Sequence, residues 1–381
     1  MQFELEITKF LPPGDGQGIH NGKTVVVPAT APGDVVRVYS LKENKKSISA
    51  ALQEVLIPSK DRCDPPCPHF HLCGGCSLMH LSYERQLDLK SQMLSEVLKS
   101  NGIDSKPRIL PSPASFNFRY KTRVRCVDGR LGFSERYSNR IVEIPECKIL
   151  SQGISAALRR IGSLGRANTE FHLLQSLNSG EVAVSVLEGN KLVPLPGFVQ
   201  SVEENYGSGP LTLHSHGFVQ SNPFVTMEII RDLQAACKNA EKVVELFCGC
   251  GTFSLVLAPL ASRLFAHDVS PLAIQTVKSN FERLQLSNAE FKAGNLNRLK
   301  KLPVVDTIVV DPPRKGMGKY VCRLINRSKA GKLVYVSCNP ASLARDIREL
   351  AEQGGFKLDA LKSYDMYCHA THLELLAVLS R

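Results

Sequence analysis

No stretch of the chain approaches the roughly 20 apolar residues that a bilayer-spanning helix requires, so no membrane association is expected. Its first ten residues, MQFELEITKF, alternate apolar and polar side chains and lack the continuous apolar core of a secretion signal. Internal repeats and low-complexity tracts are missing too. Without an export signal, 12 cysteines do not read as a disulfide framework. Thiols kept reduced in the cytoplasm, and used for metal binding or catalysis, are expected instead.

Positive charge is in excess. Lys and Arg number 47 against 36 Asp and Glu, a formal net charge of +11. Such a balance suits a polyanionic partner, because cationic side chains replace counterions condensed on a phosphate backbone. Charge that merely aids solubility is the plainer reading. Hydrophobic residues at 43% and charged residues at 22% are ordinary for a globular protein, and 381 residues allow two or three domains.

Three regions follow from the patterning. In residues 1–60, FELEI, TVVVPA, DVVRVYSL and ALQEVLI read as short strands, with turns at Gly14-Asp15-Gly16, Asn21-Gly22 and Pro32-Gly33-Asp34. A small OB-like β-barrel results, a form that often binds nucleic acid and equally often just packs on a neighbour. Residues 61–215 open with a cysteine cluster and continue with the amphipathic helix SYERQLDLKSQMLSEVLKS, stopped at Asn101-Gly102. The strand-like pieces YKTRVRCV, RLGFSE and EVAVSVLE then predict a central α+β domain. In residues 216–381 the apolar runs VVELF, RLFAH, DTIVV and KLVYVS alternate with helical segments. That alternation is the mark of a doubly wound, mostly parallel α/β sheet, whose ligands sit at the carboxyl ends of strands.

The residues after those strands carry the candidate chemistry. Phe247-Cys248-Gly249-Cys250-Gly251-Thr252 is a turn whose Gly249 and Gly251 permit close approach of backbone to a ligand. A dinucleotide fingerprint would carry a third glycine where Ser254 stands, so NAD is not expected. Asp268 ends the next strand, placed either for ribose hydroxyls or as a helix cap. Asp311-Pro312-Pro313-Arg314 makes a rigid turn after the third. Cys338-Asn339-Pro340 follows the fourth, placing a thiol at a helix N-terminus where its pKa can be lowered, unless it is simply a buried core cysteine. Glu374 in THLELLAVL is an acid in an apolar strand, costly unless partnered or used, and His372 would share its face. In FRYKTRVRCV, Arg119, Lys121, Arg123 and Arg125 form a basic stripe with Phe118 and Tyr120 opposite, suited to phosphate contact and base stacking or else to a solvated face.

Taken in order, FVQSN, ELFCGCGTF, DPPRKG, VYVSCNPASLARD and HLELLAV resemble the RNA uracil-5-methyltransferase family. The N-terminal region is similar to the TRAM domain, an RNA-binding barrel. The resemblance implies a Rossmann-like class I domain that uses S-adenosyl-L-methionine (SAM) and acts on carbon 5 of a uridine. Cys338 then resembles the family nucleophile and Glu374 the base that removes the carbon 5 proton. Gln220, Phe247, Asp268, Asn295 and Asp311 match cofactor-side positions, together with Gly249 and Gly251 of the loop. Thr252 departs from the Asn of several relatives.

Cys63, Cys67, Cys73 and Cys76 lie within fourteen residues. CPHFHLCGGC resembles the iron–sulfur segment of rRNA-modifying members, which implies a 4Fe-4S cluster on Cys67, Cys73, Cys76 and Cys147. Structural zinc on Cys63, Cys67, Cys73 and Cys76 is the alternative. A barrel combined with a cluster points to 23S rRNA, with the tRNA T-loop as second choice. A monomer is expected. A methyltransferase acting on an exocyclic amine, or a non-catalytic RNA-binding ribosome-assembly factor, is the rival reading.

Overall fold

The computed structural model describes residues 1–11, 14–162, 168–188 and 191–381. The N-terminal strands curl into one six-stranded sheet. Its order runs Gln2–Glu6, Val35–Glu43, Ser47–Ile57, Lys23–Val27, Asp15–His20, Lys9–Leu11. Period-two alternation sends Leu5, Val25, Val27, Val36, Val38, Ile48 and Ala50 into a small core. Asn21 and Gly22, both at positive φ, form the two-residue hairpin joining His20 to Lys23.

The central sheet is antiparallel, in the order Ile141–Glu143, Arg130–Ser134, Lys121–Val127, Thr169–Gln175, Val182–Glu188, Lys191–Pro194. The helix Gln152–Gly162 covers it through Ile154, Ala157, Leu158 and Ile161.

The third sheet has eight strands: Ala289–Ala293, Arg263–Asp268, Lys242–Leu246, Thr307–Val310, Lys332–Ser337, Glu374–Ser380, Lys357–Tyr364 and Ile109–Leu110. The first five run parallel, and Glu374–Ser380 is antiparallel between its neighbours. Successive residues face opposite layers. Val243 and Val309 pack with the helices Pro223–Ala236, Thr252–Leu257 and Pro271–Arg283. Val244 and Val310 pack with Gly318–Asn326 and Pro340–Gly354. Three of these helices begin alike, with a capping Asn222, Ser270 or Asn339 followed by proline, so each starts at a fixed distance beyond its strand or loop.

The C-terminal sheet also recruits earlier chain. Helix Tyr83–Ser100 inserts Leu94 and Leu98 among Leu343, Ile347 and Leu350, and Ile109–Leu110 adds the last strand. The hairpin Ser201–Asn205/Pro210–His214 packs on the opposite layer through Val202, Leu211 and Leu213. Amphipathicity alone predicts a buried stripe without saying which sheet buries it.

Candidate active site

Four loops meet at the carboxyl edge of the parallel strands. The first, after Leu246, is held in a conformation costly for ordinary residues: Phe247 has φ +64°, Gly249 +54° and Gly251 +94°. A Cβ on Gly251 would lie 2.2 Å from Val277 Cγ2, so only glycine fits there. The Gly249 N–H donates to Asp268 Oδ2 at 3.0 Å, and the Ser270 N–H donates to Asp268 Oδ1 at 2.8 Å. Asp268 therefore braces two loops, while Ser270 is the cap of the following helix. Asn295 is exposed and caps a short 3₁₀ turn, its Oδ1 accepting from the Asn297 N–H at 2.9 Å.

Asp311 and Gln220 come together from distant parts of the chain. Gln220 is buried and its side chain donates to Asp311, leaving Gln220 Oε1 without a partner among the described residues. Burial pushes the Asp311 carboxyl up to about 7, against the smaller opposing effect of Gln220. The adjoining turn is tied to the loop of Cys338, because Asn339 Nδ2 donates to the Arg314 carbonyl at 2.8 Å.

Cys338 and Glu374 are brought together by strand register. Ser337 pairs with Leu375 as the last pair of the antiparallel ladder, so Cys338 and Glu374 lie side by side at its end, and the Glu374 carboxyl bears on the Cys338 thiol. Glu374 is fully buried and neither carboxylate oxygen has a hydrogen-bond partner among the described residues. Burial, then the charge of Asp311, raises its pKa well above the usual carboxyl range, offset in part by Arg314. Cys338 is half-buried. Its thiol is pushed up to about 11 by burial, by Glu374 and by Asp311, with Arg314 opposing. The expectation of a thiol acidified by its helix is thus corrected: desolvation beside two carboxyl groups outweighs a helix N-terminus at a partly exposed position.

Other expectations also need revision. His372 does not share the strand face of Glu374; it lies in the preceding loop and lines a groove with Arg119, Phe133, Arg136, Tyr137 and Thr371. The basic stripe is broken. Lys121 turns inward, donating to the Ser215 carbonyl and to the Gly217 carbonyl at 2.8 Å, and burial pushes its ammonium down to about 8. Phe118 is core, and Tyr120 meets Phe224 edge-on at 5.7 Å. Arg123 stays exposed beside Glu170, and Arg125 donates to the Asn139 carbonyl. A period-two pattern gives the face of a strand but not what packs on that face.

Sequence reasoning missed three features. Arg314, exposed at the mouth, is the cation bearing on both Cys338 and Glu374. Glu245 is fully buried in the first parallel strand, accepts from the Ser254 hydroxyl and is pushed by burial up to about 8. Val269 is 68% exposed beside Asp268, an apolar side chain open to a ligand. An acid inside VVELF and an apolar residue after a strand-end acid were the available signals.

Cys67, Cys73, Cys76 and Cys147 line one cavity with Phe70, Met79, Phe133 and Ile149. Cys73, Cys76 and Cys147 are pushed up by burial first and then by neighbouring thiols, whereas Cys63 is raised by burial and Asp64. The Cys63 thiol instead faces the Met79 carbonyl at 3.7 Å. Among the described residues no three Cys, His, Asp or Glu side chains close on a point as around a single ion.

The doubly wound sheet, the glycine loop braced by a strand-end acid and the carboxyl-edge site define a Rossmann-type methyltransferase architecture. Comparisons with known proteins narrow the class. Residues 211–381 match the family model tRNA (Uracil-5-)-methyltransferase. The 23S rRNA (uracil(1939)-C(5))-methyltransferase RlmD of Alkalilimnicola ehrlichii is 30% identical, the alignment covering 100% of this chain and 96% of that one. The tRNA (uracil(54)-C(5))-methyltransferase of Pyrococcus abyssi is 28% identical over 96% of this chain and 97% of its own. A crystal structure of the Pyrococcus abyssi tRNA (uracil-54, C5)-methyltransferase in complex with S-adenosyl-L-homocysteine matches with TM-score 0.80 and 26% identity, over 99% of each chain. The chain belongs to the RNA uracil-5-methyltransferase family: it is a SAM-dependent enzyme that methylates carbon 5 of uridine in RNA.

Proposed function

We propose that the methylated base is an unpaired uridine of 23S rRNA, attacked by Cys338 and deprotonated by Glu374. The substrate rests on the 30% identity to the 23S rRNA enzyme of Alkalilimnicola ehrlichii, and the residue roles on a buried carboxyl group beside the thiol that lacks any hydrogen-bond partner among the described residues. A buried acid with no partner is costly to keep, and a substrate proton gives it a use.

Carbon 5 of uracil is too weak a nucleophile to take a methyl group unaided. Cys338 Sγ bonds to carbon 6, its proton passing to a neighbouring base, and carbon 5 becomes enolate-like. Asp311, whose charge bears on the Cys338 thiol and whose pKa burial raises toward neutrality, suits that proton. Bound SAM supplies an electrophilic methyl group and a positive charge. Glu374 then removes the carbon 5 proton, the C6–S bond breaks with its electron pair on sulfur, and the leaving thiolate takes back the proton held by Asp311. Gln220, Phe247, Gly249, Gly251, Asp268 and Asn295 would hold the cofactor, and the open Val269 suits a face of adenine. Arg119 and Arg136 at the groove suit RNA phosphates, and the target base must be extruded to reach the thiol.

Cys67, Cys73, Cys76 and Cys147 fit a 4Fe-4S cluster. Their cavity is mostly apolar, and the Gly75 N–H already donates to Cys73 Sγ at 3.4 Å. Four sulfurs spread around a cavity suit a cube of metal better than one zinc, whose Zn–S bonds of about 2.3 Å would draw them to a point. Cys63 lies outside this set. Anaerobically purified protein should be brown and carry about four iron atoms per chain. Stoichiometric zinc without iron would reverse the assignment.

The combination of barrel and cysteine cluster does not by itself separate rRNA from tRNA, because the Pyrococcus abyssi tRNA enzyme aligns over the same full length. The tRNA T-loop is therefore the competing substrate. Base-resolution mapping of 5-methyluridine, with and without the enzyme, should reveal loss at one or two unpaired rRNA uridines. An altered T-loop with intact rRNA would reverse the choice.

A further inference from the structure

The loop that delivers Glu374 is gripped from the cysteine region, and we infer that His369 is the positioning residue through which that grip sets the carboxylate for proton removal. This rests on the reading of Glu374 as the base.

His369 has φ +63° although it is not glycine, and it is 3% exposed. A non-glycine residue keeps such a conformation only where its surroundings over-determine it. Here they do. Its carbonyl accepts from the N–H groups of Ser77 at 2.8 Å and Leu78 at 2.9 Å, the two residues after Cys76. Its N–H donates to Gln86 Oε1 at 3.1 Å. On the ring, Nε2 lies 2.9 Å from the Ser115 carbonyl, which can only accept, so Nε2 carries the proton. Nδ1 is then free to accept from Gln86 Nε2 at 3.2 Å. Phe116 lies against the imidazole at 4.7 Å between centroids.

All four polar atoms of this residue are therefore bonded to chain between residues 77 and 115, and none to the sheet that it serves. Burial pushes the imidazole down to about 4, so the ring stays neutral and the arrangement holds at physiological pH. From His369 the chain passes along the groove through Ala370, Thr371 and His372 to buried Leu373 and then Glu374. Glu374 is the first residue of its strand, paired there with Tyr364, so the ladder holds the chain beyond it and the His369 anchor holds the chain before it. A base must lie within hydrogen-bond reach of its proton, and a displacement of about 1 Å can cost about 10²-fold in rate.

The test compares His369→Ala, His369→Asn and Gln86→Met with the wild type and Glu374→Gln, each screened first for SAM affinity and melting temperature. Proton removal follows methyl transfer, so a misplaced base leaves methylated RNA bonded to Cys338, a species retained on denaturing gels. His369→Ala and Gln86→Met should bind SAM as the wild type does, turn over about 10²-fold more slowly and accumulate that adduct. Asparagine tolerates the left-handed conformation and offers Gln86 an acceptor, so His369→Asn should fall between them and the wild type. Adduct in Glu374→Gln but none in either His369→Ala or Gln86→Met overturns the positioning role alone. No adduct in Glu374→Gln overturns the base assignment, and the proposal with it.

Discussion

Cys338→Ala is expected to abolish RNA methylation, by at least about 10⁴-fold in kcat, while SAM still binds. In the proposed mechanism the attack of Cys338 creates the reactive carbon, so no other group in the site replaces it. The thiol's environment makes a second, independent reading available. With its pKa pushed up to about 11 by burial and by the neighbouring carboxyl groups, the substrate-free thiol is protonated at neutral pH. Alkylation of Cys338, followed at that peptide by mass spectrometry, should keep rising with pH above the ordinary value of 9.0. A plateau below that value would mean that the helix N-terminus governs the thiol after all. Methylation that survives in Cys338→Ala would point to chemistry at another atom of the base, such as an exocyclic amine.

The largest stability effect is expected away from the chemistry, at Asp365. Lys90, on the helix Tyr83–Ser100, and Asp365, at the start of the loop to Glu374, form an ion pair at 2.5 Å with both side chains fully buried. Tyr83 donates to the same carboxylate at 2.8 Å, and Lys90 also donates to the Tyr367 carbonyl at 3.1 Å. Asp365→Ala leaves an ammonium group buried without its counter-charge, which costs about 3–5 kcal/mol. Chemical denaturation should therefore give a lower midpoint with a similar slope. The double variant Lys90→Met/Asp365→Leu, which removes both charges, should recover much of the loss. A single variant within 1 kcal/mol of wild type, by the usual scale of surface substitutions, would mean that water reaches this pair.

Much of the site could be read before any coordinates. Cys338, Asp268, Asp311 and the glycine loop each follow an apolar run, and a parallel sheet gathers the ends of such runs at one edge. Gly249 and Gly251 were legible because a tight loop beside a ligand needs their freedom, and both stand at positive φ. Reach was not legible. Lys121 looked like part of a basic surface and is a strut donating to Ser215 and Gly217, because the neighbouring layer that covers it lies 94 and 96 residues further along the chain. The thiol's protonation was misjudged for a similar reason: the helix cap is local, whereas the carboxyl groups that oppose it come from another strand and from the turn after a third.

By itself the sequence determined the alternation of strands and helices, the loops that carry chemistry and the family to which they conform, since these depend on spacing and on backbone freedom at single residues. Tertiary structure alone decided that the Glu374 carboxyl bears on the Cys338 thiol at the end of the ladder, that Lys121 is covered rather than exposed, and that helix Tyr83–Ser100 serves the catalytic sheet. The physical reason is common to all three. Charge, desolvation and packing act through space between segments far apart in the chain, and only the folded ladder and its covering layers bring those segments within reach.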